Sequence, residues 1–232
     1  MDQETYDYII VGAGSAGAVL ANRLSADGKH KVLLLEAGKA SHPWTRIPIG
    51  FGRLIENPAA NWCFSAEPEA NTDGRSLGVP RGKLLGGSSA INGMIFVRGQ
   101  AMDYDTWGQL GNRGWSYRDV LPFFQKMESF GGGEEDYRGR SGPLKVTEIP
   151  EVEPLYQAIL DAGQQAGLPF NPDYNGASQE GIAISQTTIA KGRRQSTAHC
   201  YLDPVKSRTN LNIVSEALAE RLSGGRYVDV DI

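Results

Sequence analysis

The 232-residue sequence is poor in cysteine and histidine. Its two cysteines, Cys63 and Cys200, lie far apart and outside any C-x-x-C spacing, which suggests a reducing compartment and no metal site. Its three histidines, His30, His42 and His199, are scattered, and none sits in a metal-ligand pattern. No apolar run approaches the roughly 20 residues needed to cross a bilayer. No basic and then apolar leader precedes the first expected strand near Tyr6, so no signal peptide is expected. The expected location is cytoplasmic, with peripheral membrane contact left open. Basic excess is lacking too. The formal net charge is −4, and nucleic acid is not an expected partner. The densest basic cluster, Lys191-Gly192-Arg193-Arg194, reads most simply as a solvated loop; a phosphate or substrate-anion site is the lesser alternative. There is no internal repeat and no low-complexity tract. A composition 40% hydrophobic and 22% charged fits a soluble globular chain, long enough for one large domain or two small ones.

What the sequence does have is glycine, concentrated in two places. The first lies in YDYIIVGAGSAGAVLANRLSADGKHKVLLLEAG, residues 6–38. Residues 8–11 form a short β-branched apolar run that reads as a buried strand. Gly12-Ala13-Gly14-Ser15-Ala16-Gly17 follows, a G-x-G-x-x-G turn. Residues 16–24 carry Ala16, Val19, Leu20 and Leu24 at helical spacing, and residues 31–35 read as a second strand ending at Glu36. In such a βαβ unit Gly12 makes the tight turn, Gly14 lets a pyrophosphate approach the backbone, and Gly17 lets helix and strand pack closely. The helix N-terminus adds free N–H groups and partial positive charge for the phosphates. Glu36, 24 residues after Gly12, can accept hydrogen bonds from ribose hydroxyls and would repel a 2′-phosphate, which disfavours NADP. A glycine-rich turn with no nucleotide is the bland alternative. The strand, helix and acid in register argue against it. The unit alone does not separate NAD from FAD.

Residues 39–80 are broken by Pro43, Pro48, Gly50, Gly52, Pro58, Pro68 and Gly74 and read as a loop-rich excursion. Trp44, Phe51, Trp62 and Phe64 are its expected apolar anchors, covering the domain or forming a lid over a cofactor. The second glycine cluster follows in residues 79–105, VPRGKLLGGSSAINGMIFVRGQAMDYD. Gly86-Gly87-Ser88-Ser89 could offer backbone N–H groups to an anion or ring edge. The spacing of Ile91, Ile95 and Phe96 predicts a helix starting near residues 88–92. Further on, short helices are expected from residue 103 and over 117–130, the latter capped by Ser116 and Asp119, interrupted at Pro122 and with its aromatics in the core. Residues 131–142 read as a mobile loop and candidate domain junction. Strands are expected at 144–149, 181–189, 211–215 and 226–232, with helices at 153–166 and 196–205.

The run Gly82-Lys83-x-Leu85-Gly86-Gly87-Ser88-Ser89-x-Ile91-Asn92-x-x-x-Phe96-x-x-Gly99-x-x-x-x-x-Asp105 resembles, without a gap, the first signature of the glucose–methanol–choline (GMC) oxidoreductases, FAD-dependent alcohol oxidases and dehydrogenases. INGMIFVRGQAMDYDTW and NLNIVSEALAERL are most similar to choline dehydrogenase-like and alcohol dehydrogenase-like members. Nearly the whole chain is covered. The resemblance implies an α/β fold: a Rossmann-like FAD-binding domain and the beginning of a second, α+β substrate domain, incomplete here. The implied division is FAD-binding over 1–142, substrate domain over 143–192, and a return to the FAD-binding domain over 193–232. It implies FAD with its pyrophosphate at Gly12, Gly14, Ser15, Ala16 and Gly17 and its adenosine ribose at Glu36 and Ala37. Leu85, Gly86, Ser88, Asn92, Gly93, Met94 and Ile95 are implied along the ribityl chain and isoalloxazine, and the main chain of Ala219 at adenine. No histidine stands near Gln100, where some members attach FAD, so the cofactor is expected to be non-covalent.

The family's chemistry implies hydride transfer from an alcohol carbon to flavin N5, with a histidine base and a neighbouring His or Asn expected beyond the end of this chain. None of the three histidines matches the base's motif, and Ser88 and Ser89 are not a nucleophile elbow. No catalytic residue is therefore assigned within the chain. Neither the alcohol, nor the acceptor (oxygen, a quinone or another carrier), nor the oligomeric state is legible. Two rivals stand beside this reading. An NAD-dependent dehydrogenase would leave residues 82–105 unexplained; a non-catalytic fragment that at most binds nucleotide is favoured by the end at Ile232, where a terminal strand would leave an open sheet edge.

Overall fold

The computed structural model describes residues 4–223 and 227–231. Three apolar runs form one parallel sheet: β1 (Tyr8–Val11), β2 (Val32–Glu36) and β3 (Leu211–Ser215), in the order β1-β2-β3. Tyr8 pairs with Val32 and Val11 with Leu35, and on the other side Leu211 pairs with Val32 and Ser215 with Glu36. The middle strand reads VLLLE because it is covered on both faces, and Val32, Leu34 and Leu35 are buried. The run at residues 8–11 differs from expectation. It pairs with β2 alone among the described residues, so only Ile10 is buried.

Helix α1 (Ser15–Leu24) connects β1 to β2 and packs through Gly17, Ala18 and Ala21. Small residues are required there. A Cβ on Gly17 would lie 1.9 Å from the Gly12 carbonyl oxygen and 3.3 Å from Ile10 Cγ2. Beyond β3 the backbone bonds back to the exit of β2, with Ala217 N donating to Glu36 O and Glu216 N to Gly38 O. An antiparallel hairpin follows, β4 (Leu218–Ser223) with β5 (Tyr227–Asp231). The strand expected at 226–232 is present over its described part; β4 was not expected.

The excursion after β2 is as irregular as its breakers imply: 3-10 turns at Pro43–Arg46 and Pro48–Gly50, one helical turn at Phe51–Leu54, and a two-residue ladder of Phe64–Ser65 with Gly78–Val79. Of the expected aromatic anchors only Trp62 is half-buried, stacked on Phe64 and under Lys83 Nζ. Trp44, Phe51 and Phe64 are exposed, while Leu54, Ala60, Leu84, Ala90 and Ile91 form the buried cluster. The helix expected near residues 88–92 is a single 3-10 turn, Gly87–Ala90. Gly86 and Gly87 both take positive φ, and the serine hydroxyls bond locally: Gly82 N donates to Ser88 Oγ, and Ser89 Oγ donates to Gly86 O. Such side-chain bonds compete with helix propagation. Residues 196–205 likewise hold a short π-helical turn, Ala198–Leu202, instead of a full helix.

The chain divides into two compact units, residues up to Gly93 together with those from Gly192 onward, and residues 94–191. The second division lies beside the expected boundary at 192/193, whereas 142/143 falls inside the second unit. That unit holds α2 (Ala101–Gln109), α3 (Tyr117–Met127) and α4 (Pro154–Gln165). Both α2 and α3 begin with capping boxes, Gln100 with Asp103 and Ser116 with Asp119. Helix α3 runs through Pro122, which removes the bond to the Arg118 carbonyl. Of the aromatics expected in the core over 117–130, Phe130, just past the helix, is buried, Tyr117 and Phe124 are half-buried, and Phe123 is exposed.

The centre of the second unit is ionic. Glu128 is fully buried, accepts from Arg138 Nε at 2.8 Å and lies 2.8 Å from Arg98 Nη2. Arg138 Nη1 reaches Asp173 at 2.5 Å and Gln186 at 2.9 Å. Arg138 belongs to the glycine-rich stretch expected to be mobile. Gly139 and Gly142 also pack so tightly that a Cβ on either would meet backbone within 2.4 Å, so this stretch is a packed part of the unit.

Candidate functional site

The first glycine cluster forms a surface without side chains. Gly12 turns at φ +90°, the N-cap Gly14 supplies no side-chain bond to the first turn of α1, and Ser15 and Ala16 are exposed at the helix start. An uncapped helix N-terminus with this exposure is suited to an anion. Glu36 stands beside it, 5% exposed. Its carboxylate accepts one backbone N–H on each oxygen, Ala13 N at Oε2 and Gly38 N at Oε1, both at 2.9 Å. These bonds fix the group and leave a lone pair on each oxygen for a hydroxyl. Ala37 is half-buried next to it. Ala219, paired with Val230 in the hairpin, follows the segment bonded to Glu36 O and Gly38 O.

The two glycine clusters, 70 residues apart in sequence, are in direct contact. Gly86 N donates to Ala13 O at 2.8 Å, and Leu85 N to Lys39 O at 3.1 Å. A Cβ on Gly87 would lie 2.7 Å from Gly14 Cα, one on Gly38 1.9 Å from Lys83 O, and one on Gly82 2.2 Å from Gly87 O. The second cluster therefore buttresses the first. Gly87→Ala should push residues 12–14 out of place and weaken dinucleotide binding about tenfold or more, read by titrating cofactor into wild type and variant. An unchanged affinity would separate the two clusters functionally.

The residues expected along the cofactor ring divide between the units. Leu85, Gly86, Ser88, Asn92 and Gly93 belong to the first, with Asn92 and Gly93 exposed. Met94 and Ile95 open the second. There Met94 O accepts from Thr188 N, Met94 is buried, and the exposed Ile95 bridges to Thr187. The Ser88 and Ser89 hydroxyls are engaged in the turn, and Ser89 Oγ also accepts from Thr197 N at 3.0 Å. Their part in a site is to shape backbone.

Arg194 was placed in a solvated loop by its basic neighbours. It is instead 2% exposed, and its Nη1 donates to Asn92 Oδ1 at 2.7 Å and to Ser89 O at 3.2 Å. Burial lowers its pKa to about 10, which still leaves it charged at neutral pH. The alternation of exposed Arg193 with buried Arg194 in a two-residue strand is the signal that charge counting hid. Nearby, Asp203 has a lowered pKa: partial burial raises it, but hydrogen bonds from His199 and Lys206 outweigh that.

Each histidine has a local partner. His30 pairs with Asp27, His42 Nδ1 accepts from Trp44 N, and His199 meets Asp203 at 3.1 Å. Among the described residues no group of three or more His, Cys, Asp and Glu could hold a metal, and no helix is long and apolar enough to cross a membrane.

The profile of the GMC oxidoreductase family matches residues 6–232. An oxygen-dependent choline dehydrogenase of Photobacterium profundum is 50% identical over 212 residues, covering 90% of this chain and 37% of that protein. The crystal structure of pyridoxine 4-oxidase from Mesorbium loti superposes with a TM-score of 0.91 at 35% identity, covering 97% of this chain and 46% of the other. An FAD-dependent oxidoreductase from Chaetomium thermophilum superposes with a TM-score of 0.85 at 31% identity, covering 93% and 39%. The chain thus spans less than half the length of each.

Proposed function

The chain belongs to the GMC oxidoreductase family, and we propose that it is the FAD-binding portion of an FAD-dependent oxidoreductase acting on the CH–OH group of a small alcohol. The observation that carries this reading is Glu36, held by two backbone N–H groups beside a helix N-terminus that has no side-chain cap and only small residues. A dinucleotide needs both features: donors for its phosphates and a fixed carboxylate for its ribose.

In this reading the backbone N–H groups of Gly14, Ser15 and Ala16 bind the pyrophosphate, with Gly12 and Gly17 shaping the turn. Glu36 accepts the ribose hydroxyls, Ala37 lies alongside, and Ala219 offers its main chain to the adenine. Leu85, Gly86, Ser88, Asn92 and Gly93 line the ribityl chain and ring. Bound FAD supplies the two-electron chemistry, taking hydride from the alcohol carbon. FAD is non-covalent, because no histidine occurs in residues 92–105. The first unit is the cofactor domain and the second begins the substrate domain.

The proton acceptor for the alcohol hydroxyl is not among the chain's three histidines, each of which has a local structural partner. The longer relatives have further sequence to supply one. Their names favour a small polar alcohol and oxygen as acceptor. The test is alcohol-driven bleaching of bound flavin under anaerobic conditions. The chain alone should bind FAD without bleaching, and a chain fused to the C-terminal portion of a longer relative should bleach. Bleaching by the 232-residue chain would overturn the assignment of the base.

A further inference from the structure

Three arginines are buried among the described residues. Two of them, Arg98 and Arg138, meet carboxylates, Glu128 for both and Asp173 for Arg138. Among the described residues Arg194 has neither an ion pair nor a second set of acceptors. Its Nη1 is bonded to Ser89 O and Asn92 Oδ1, while Nε and Nη2, both buried, have no hydrogen-bond partner among the described residues. An uncompensated buried charge is strongly disfavoured unless something of opposite sign offsets it. Arg194 is bonded to residues 89 and 92 of the second glycine cluster, where Ser89 is bonded to Gly86 O and Gly86 to Ala13 O. The charge is thus attached to the wall that the FAD reading assigns to the ring.

Resting on that reading, we propose that Arg194 is a positioning residue with an electrostatic role: it holds Asn92 against the flavin, and its unpaired charge favours the reduced cofactor. Uptake of two electrons and one proton turns the neutral ring into an anion, and the alcohol supplies both electrons and the proton as hydride. A fixed cation bonded to that wall would stabilise the product of that uptake more than the starting form. It needs no reorganisation to do so, and the low local dielectric lengthens its reach.

The test is the two-electron midpoint potential of the FAD-loaded chain, titrated against a dye of known potential, for wild type, R194M and R194Q. Glutamine keeps one donor for Asn92 and Ser89, so it preserves the wall if methionine does not. The reduction equilibrium constant should fall at least tenfold in either loaded variant, about 30 mV toward negative potential. A shift within twofold would overturn the proposal. So would loss of FAD uptake by both variants, since Arg194 would then only build the wall. Failure of wild type to take up FAD would strike the functional reading instead, before the variants are compared.

Discussion

Gly17→Val is expected to abolish FAD uptake and to lower stability by roughly 3 kcal/mol. Even the first carbon of the new side chain would sit 1.9 Å from the Gly12 carbonyl oxygen, and the Ile10 side chain leaves no room behind it. Relief requires α1 to lift from β1, which separates buried Ala18 and Ala21 from their neighbours and displaces the helix N-terminus from the Gly12 turn. Urea unfolding followed by tryptophan fluorescence measures the first effect, and flavin titration of the folded variant the second. Ser15→Ala at the same helix start keeps the backbone donors and should bind FAD within a few-fold of wild type. Equal losses in the two variants would mean that a side chain, and not the bare turn, holds the phosphates.

The second large effect concerns the ionic centre of residues 94–191. Glu128→Ala should cost about 3–5 kcal/mol, the range for removing one partner of a fully buried ion pair. It strips Arg138 of its Nε and Nη2 acceptors and leaves Arg98 without its carboxylate. Glu128 also accepts from Gly139 N at 2.8 Å, so the glycine-rich stretch should loosen at the same time. Hydrogen exchange at residues 131–142 should then rise in step with the loss of stability. A cost near 1 kcal/mol with unchanged exchange would mean that the cluster is incidental to the unit.

The βαβ unit was legible because its signals are local and agree. An apolar run, three glycines at fixed offsets and an acid at the end of the next strand each have a mechanical reason, and the structure has them in register. The parallel pairing of β3 with β2 was legible only as an isolated strand, since partner choice is not a local property. The second glycine cluster misled in form: Ile91, Ile95 and Phe96 have helical spacing, but two positive-φ glycines and two serine hydroxyls decide the backbone there. Large size suggested burial for Trp44, Phe51, Phe64 and Phe123, yet these are exposed and the smaller Leu54 and Ala60 fill the space after β2, whereas Phe130 is buried as expected. Arg194 is the most instructive miss. Beside Lys191 and Arg193 it read as solvent-facing, and only the two-residue strand places it inside, bonded to Asn92. The second glycine cluster matches a known signature in the sequence alone, but its contact with Gly14 is visible only in the structure.

The account depends most on the dinucleotide surface made by Gly12–Gly17 and Glu36. Its most direct test is the absorbance spectrum of the folded chain after incubation with FAD and desalting. The expected result is about one flavin per chain, retained on desalting and released intact by acid denaturation. A folded chain that emerges colourless, while an NAD analogue binds in its place, would contradict it.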